Sequence, residues 1–145
     1  MDERDYIALN KDLNKMNLQL PLIETWFRLT ESLIKKEDYR NITSYWCNRF
    51  ILVDGETKSK KWWDKRFTSF ESVNNIKWIL DNIAIGNFTF NSFDTNTMTL
   101  GYPKSTDTER IIKFEHAGIE IRTGNPEWGA EPNKLYFVIK HGKRI

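Results

Sequence analysis

Two short stretches of this sequence carry residue types that could do chemistry. The first is Lys35-Lys36-Glu37-Asp38-Tyr39-Arg40, which falls where a helix should end and a strand begin. Lys35 and Arg40 could bind an anion there, with Asp38 as an acceptor between them. Arginine presents a planar fork that matches a phosphate or a base edge, and lysine a mobile point charge. The plainer alternative is a solvated helix end with local ion pairs, each worth about 0.3–0.5 kcal/mol. The second stretch is Asn125-Pro126-Glu127-Trp128-Gly129-Ala130-Glu131-Pro132. It is too apolar at Trp128 and too rigid at its prolines for a generic linker. Its alternative is a structural lid that plugs one end of the fold with Trp128.

Other chemistry lacks a motif. Neither G-x-x-x-x-G-K-S/T nor G-x-G-x-x-G occurs, so no glycine cradle for a nucleotide cofactor is expected. His116 and His141 stand without a paired His or Cys at ligand spacing, so no metal site is expected. Cys47, the single cysteine, sits near Trp46 and Phe50 and reads as a buried, inert thiol. There is no G-x-S-x-G elbow, and no cofactor is implied.

The elements that must position these residues follow from periodicity. Leu18, Leu20 and Leu22 alternate as a strand, with Pro21 suited to a sheet edge. From Ile23 the period changes, predicting a helix from about Glu24 to Ile34 that opens with an acid at the positive end of its dipole. A second helix is expected near Thr43–Val53, an exposed loop over residues 54–61, and a third helix over Phe67–Asn82. Beyond Gly86 the texture is that of strands: Phe88 to Phe90, Met98 to Leu100, Ile111–Phe114, Gly118–Arg122 and Leu135–Lys140. Helices first and strands after, in 145 residues, imply α+β: a small mixed sheet or barrel flanked by two or three helices.

Composition narrows the class further. The chain is 39% hydrophobic and 29% charged, enough to close a core, and its apolar runs are too short to cross a bilayer. The opening MDERDYIALN lacks an apolar stretch and does not read as a secretory signal. A single cysteine does not suggest an oxidising compartment, and a cytoplasmic location is expected. The net charge of +2 hides local asymmetry. Residues 56–66 hold five bases against two acids, and the last twelve residues hold four bases and no acid. Lys60-Lys61-Trp62-Trp63 interleaves cations with rings, as a nucleic-acid surface does. A charged loop with one Trp in the core is the simpler account of that stretch.

Taken together, LPLIETWFRLTESLIKKEDYRNITSYW and GNPEWGAEPNKLYFVIKHGKRI resemble the ASCH domain of the PUA-like superfamily. More narrowly they resemble its bacterial and phage-borne form, in which a K-K-E-E-Y-R run and a P-E-W-G-A-E-P run recur. The resemblance covers residues 16–145, one domain, and leaves residues 1–15 as an N-terminal extension. In the family signature G-x-K-x-x-E-x-R, Lys35 matches the lysine, Asp38 stands for the glutamate and Arg40 matches the arginine. Leu33 replaces the glycine.

The resemblance implies a small PUA-like mixed β-barrel with helices alongside, and binding of RNA or a modified nucleotide, with single-stranded nucleic acid as a partner. Lys35 and Arg40 would hold a phosphate or base edge, and Asp38 would accept from an exocyclic amine. Tyr39, Tyr102 or Trp128 would stack on the base, for about 1–3 kcal/mol each. It also offers an alternative, an amidohydrolase acting on an acylated cytidine. Lys35 would then stabilise the oxyanion, and Asp38 or Glu131 would activate water. Asp38 falls where that branch has its threonine nucleophile, and a carboxylate cannot serve as the hydroxyl. A third alternative is a protein-binding role anchored on an exposed Trp62-Trp63 pair.

Overall fold

A computed structural model describes residues 16–67 and 72–145. The expected N-terminal extension, residues 1–15, and Phe70 of the expected third helix lie outside the described residues. The fold is α+β, and its main sheet is curled as half of a small mixed barrel. The strands are β1 (Asn17–Leu22), β2 (Glu37–Arg40), β3 (Ile51–Val53), β4 (Glu56–Thr57), β5 (Phe88–Phe90), β6 (Thr95–Leu100), β7 (Ile111–Thr123) and β8 (Leu135–Arg144). The helices are α1 (Glu24–Glu31), α2 (Ser44–Phe50), α3 (Lys60–Phe67) and α4 (Ser72–Ala84). Five strands pair in the order β1-β6-β7-β8-β2, and three more in the order β4-β3-β5. β1 runs parallel to β6 and β7 antiparallel to it. Pro21 thus sits on an edge strand, where a missing N–H breaks no ladder.

The chain divides into two compact units. Of the described residues, the first comprises residues 16–38, Ser92–Gly118 and Lys140–Ile145, and the second residues 39–67, 72–91 and Ile119–Ile139. In the first, Leu18, Leu20, Phe27, Met98 and Ile112 form the core. α1 ends three residues earlier than its periodicity suggests. Leu33 N–H bonds to Thr30 O at 3.0 Å and Ile34 N–H to Leu29 O at 3.1 Å. This is a Schellman motif, with Leu33 at φ 66° in the left-handed position that usually takes glycine. Leu33 and Ile34, which the helical period would put on the apolar face, are consequently exposed, and Ile23 is exposed at the other end as the N-cap.

In the second unit α2 starts at Thr43, whose hydroxyl caps Trp46 N–H. Phe50, Ile51, Trp63, Ile79, Phe88, Phe137, Val138 and Ile139 are among its buried apolar residues. Trp63 meets Trp62, Trp78 and Phe88 edge-on at 5.0–6.1 Å. Such aromatic pairs are worth about 0.5–1.5 kcal/mol beyond their buried area. The Trp62-Trp63 pair is therefore not exposed as expected. α3, in sequence read as loop up to residue 61, buries Trp63 fully and lays the Arg66 guanidinium 3.5 Å above the Trp62 ring. Ser59 starts this helix by accepting from Trp62 N–H. Ile111–Phe114 and Gly118–Arg122, expected as two strands, are one strand of 13 residues. The chain has no helix among its described residues long and apolar enough to cross a membrane.

Candidate functional site

The turn that closes α1 delivers Lys35 and Asp38 into the interior of the first unit. Lys35 is 2% exposed and Asp38 4%. The Lys35 ammonium donates to Asp38 Oδ1 at 3.1 Å and to the Glu37 carbonyl at 2.7 Å. Residues three apart across a short strand start can meet this way because the backbone of Lys35 is still curled, its N–H bonded to Leu29 O.

Three residues join this pair: Asn96, which the sequence reading passed over, and His116 and His141, which it weighed only as metal ligands. His141 N–H donates to Lys36 O at 3.1 Å, placing the imidazole beside the segment. Asn96 Nδ2 donates to His141 Nδ1 at 2.8 Å and to Lys140 O at 3.1 Å. His116 Nδ1 in turn donates to Asn96 Oδ1 at 2.7 Å. Each imidazole lies against a phenyl ring, His141 stacked on Phe114 and His116 edge-on to Phe93. With its Nδ1 accepting, neutral His141 carries its proton on Nε2, which finds no hydrogen-bond partner among the described residues. Burial pushes His141 down to about 4, with Asp38 opposing and Lys35 and His116 reinforcing the shift. His116 is lowered by burial as well, against the pull of Asp94. Both rings are neutral near pH 7. The signal was present in the alternation: Ile112, Phe114 and His116 share one face of β7, and Asn96 shares one face of β6 with Met98. Polar residues occupy the last inward positions of those runs.

The remaining candidates fall elsewhere. Tyr102, in the first unit, is 91% exposed. Tyr39, Arg40, Trp128 and Glu131 belong to the second unit. The Arg40 guanidinium lies 5.0 Å above the Trp46 ring. Tyr39 is a fastening: its hydroxyl accepts Asn125 N–H at 2.9 Å, and its ring packs on the Ala130, Tyr136 and Val138 cluster. Tyr136 does the same at the far end of the loop, accepting Glu131 N–H at 2.9 Å. Between these pins, Asn125 Oδ1 caps Glu127 N–H and Gly129 turns at φ 100°. Trp128 is half-buried on this loop, and the Glu131 carboxylate is 3.8 Å from Lys134 at the surface. The structure thus brings Lys35 and Asp38 together, adds Asn96, His116 and His141, and assigns Tyr39 to the loop.

Cys47 is fully buried, and burial pushes its thiol well above the usual range. Among the described residues no three His, Cys, Asp or Glu side chains converge as metal ligands. What the centre offers is a fixed set of donors and acceptors: an ammonium, a carboxylate, an amide and a neutral imidazole. These groups are bonded to one another out of water, and the Nε2–H of His141 is the donor left over among the described residues. No protein-family model, curated protein or solved structure matches this chain.

Proposed function

We propose that this chain is a binding module for RNA or a modified nucleotide, of the ASCH type within the PUA-like superfamily, acting through the centre built on Lys35 and Asp38. The carrying observation is the buried ion pair, 3.1 Å long with both side chains at or below 5% exposure. Removing two charges from water costs several kcal/mol per ion, and an apolar pair of similar volume is often as stable or more so. A pair kept under those terms, beside the neutral His141, is a candidate for function. In this reading Asp38 accepts from an exocyclic amine and Lys35 donates to a ring or carbonyl acceptor. Tyr102, exposed in the same unit, stacks on a base.

The test is fluorescence anisotropy with short single-stranded RNA at low and moderate salt, on the intact chain and on K35M/D38L. The double substitution removes the charges while keeping apolar volume, so the fold survives as a control. Salt-sensitive binding that weakens at least about tenfold in the variant is expected, the scale of a lost charge-assisted contact. Unchanged affinity in the folded variant overturns the proposal.

One observation favours the amidohydrolase alternative. A buried carboxylate beside an ammonium can activate water and steady an oxyanion. Release of acid from an acylated cytidine, lost in K35M/D38L, would select it over simple binding.

A further inference from the structure

The outward face of the sheet in the first unit carries a second feature, separate from the buried centre. Strand alternation puts Asn96 and Met98 on the inward face of β6 and Thr97 and Thr99 on the other. The register sets Gln19 beside Thr97, and Lys113 opposite Thr97 on β7. Ile145 N–H bonds to Lys113 O at 3.0 Å, which brings the end of the chain, with Arg144, to the same place. Here the residues enclose a groove of about 510 Å³, within the range of small-molecule sites.

Its side-chain charge is one-sided, although Ile145, whose α-carboxylate would be anionic, also lines it. Lys113 and Arg144 line it, and no described Asp or Glu does. Arg144 spends one N–H on the Glu31 carbonyl at 3.4 Å, and no described carboxylate pairs with Lys113 or Arg144. Glu115 lies at the next outward position of β7, opposite Thr95. Asn17 lines the groove as well, its Oδ1 taking hydroxyl hydrogens from Thr95 and Thr97, each at 2.7 Å. Ser105 and Thr108 supply hydroxyls across from it, and Pro103 and Ile111 an apolar flank. Two cations, an oriented amide and two hydroxyls call for a ligand with several acceptor oxygens and full negative charge.

We infer that this groove binds the phosphoryl group of a nucleotide-sized ligand, with Lys113 and Arg144 as its clamp. The inference does not rest on the Lys35–Asp38 proposal. Its test uses the intact chain, with adenosine monophosphate, inorganic phosphate and adenosine as probes, followed by calorimetry and by amide chemical shifts. Saturable binding of the monophosphate is expected, with shifts at Thr97, Thr99 and Lys113. Binding should weaken at least about tenfold in K113A and in R144A. Both side chains are exposed, so neither variant should lose its fold. Shifts at Asn96 and His141 instead of Thr97, Thr99 and Lys113 would put the monophosphate at the Lys35–Asp38 centre and overturn the inference, which separates failure here from failure of the proposed RNA site. Adenosine binding as tightly as the monophosphate, phosphate binding as tightly as the monophosphate, or wild-type affinity in K113A and R144A would each overturn the inference.

Discussion

The side-chain amide of Asn96 donates to Nδ1 of His141 across 2.8 Å, so protonating that nitrogen sets two N–H groups against each other. Burial already holds the His141 pKa down to about 4, below its ordinary 6.5. Asp38 and Glu37 pull the other way, and Lys35 and His116 push it lower. As acid is added, the unfolded chain takes up this proton before the folded one does. Stability is therefore full above pH 6.5 and falls as the pH drops toward 4, by about 3 kcal/mol from this residue. His116 adds to the loss in the same direction. Urea unfolding near neutral pH and near pH 4 measures it. His141→Phe should cost some stability at neutral pH, through the lost acceptor for Asn96, yet at least halve the pH slope. An undiminished slope would remove His141 from this role.

The buried pair makes an asymmetric prediction. Asp38→Ala leaves the Lys35 charge without its carboxylate and should destabilise by about 3–5 kcal/mol. K35M/D38L should be as stable as the parent or more so. Thermal or urea unfolding of the two variants decides it, and equal losses in both would mean that packing rather than charge matters at these positions.

Gly124 has no room for a side chain. A Cβ there would lie 2.6 Å from the Ala130 Cβ and 2.6–2.7 Å from the Tyr39 ring. Gly124→Ala is expected to cost about 1–3 kcal/mol by overpacking. It should also pull Asn125 from the Tyr39 hydroxyl, which raises proteolytic cleavage within 124–131. A variant with parental stability and protease resistance would show that the loop fastening is unimportant.

Leu33 offers the opposite sign. At φ 66° an L side chain is strained, and Leu33 is 53% exposed, so little burial is lost on truncation. Leu33→Gly should stabilise by about 0.5–1 kcal/mol in urea unfolding, net of the entropy glycine adds to the unfolded chain. Leu33→Ala, which keeps the strain, should not stabilise. The glycine that the ASCH resemblance expects at this position then has a local explanation, the Schellman turn that aims Lys35 inward.

Cys47 should react with a thiol reagent only as fast as the protein unfolds, since the thiol is buried and held protonated. Modification at the rate of a free thiol in the native protein would contradict its place in the core.

Much of the fold was legible because it is local. Alternation in LQLPL, the change to helical period at Ile23 and the turn residues after Gly86 each act within a few residues, where backbone geometry and side-chain period are coupled. α3 was less legible, because its few apolar residues sit among five charges and its stability comes from burying Trp63. The Trp62-Trp63 pair likewise looked exposed until Arg66 and the Trp78–Phe88 cluster were placed around it. The end of α1 was missed because its stop is a left-handed leucine rather than glycine.

By itself, the sequence determined the α+β class and the strand at the sheet edge. Only the tertiary structure decided that Lys35 and Asp38 face each other out of water, that Tyr39 fastens a loop 86 residues away, and that Asn96 joins His116 to His141. The reason is physical. Periodicity says which face of a strand a residue occupies, but partners 20 and 45 residues apart are chosen by strand order and register. Those depend on the packing of the whole sheet.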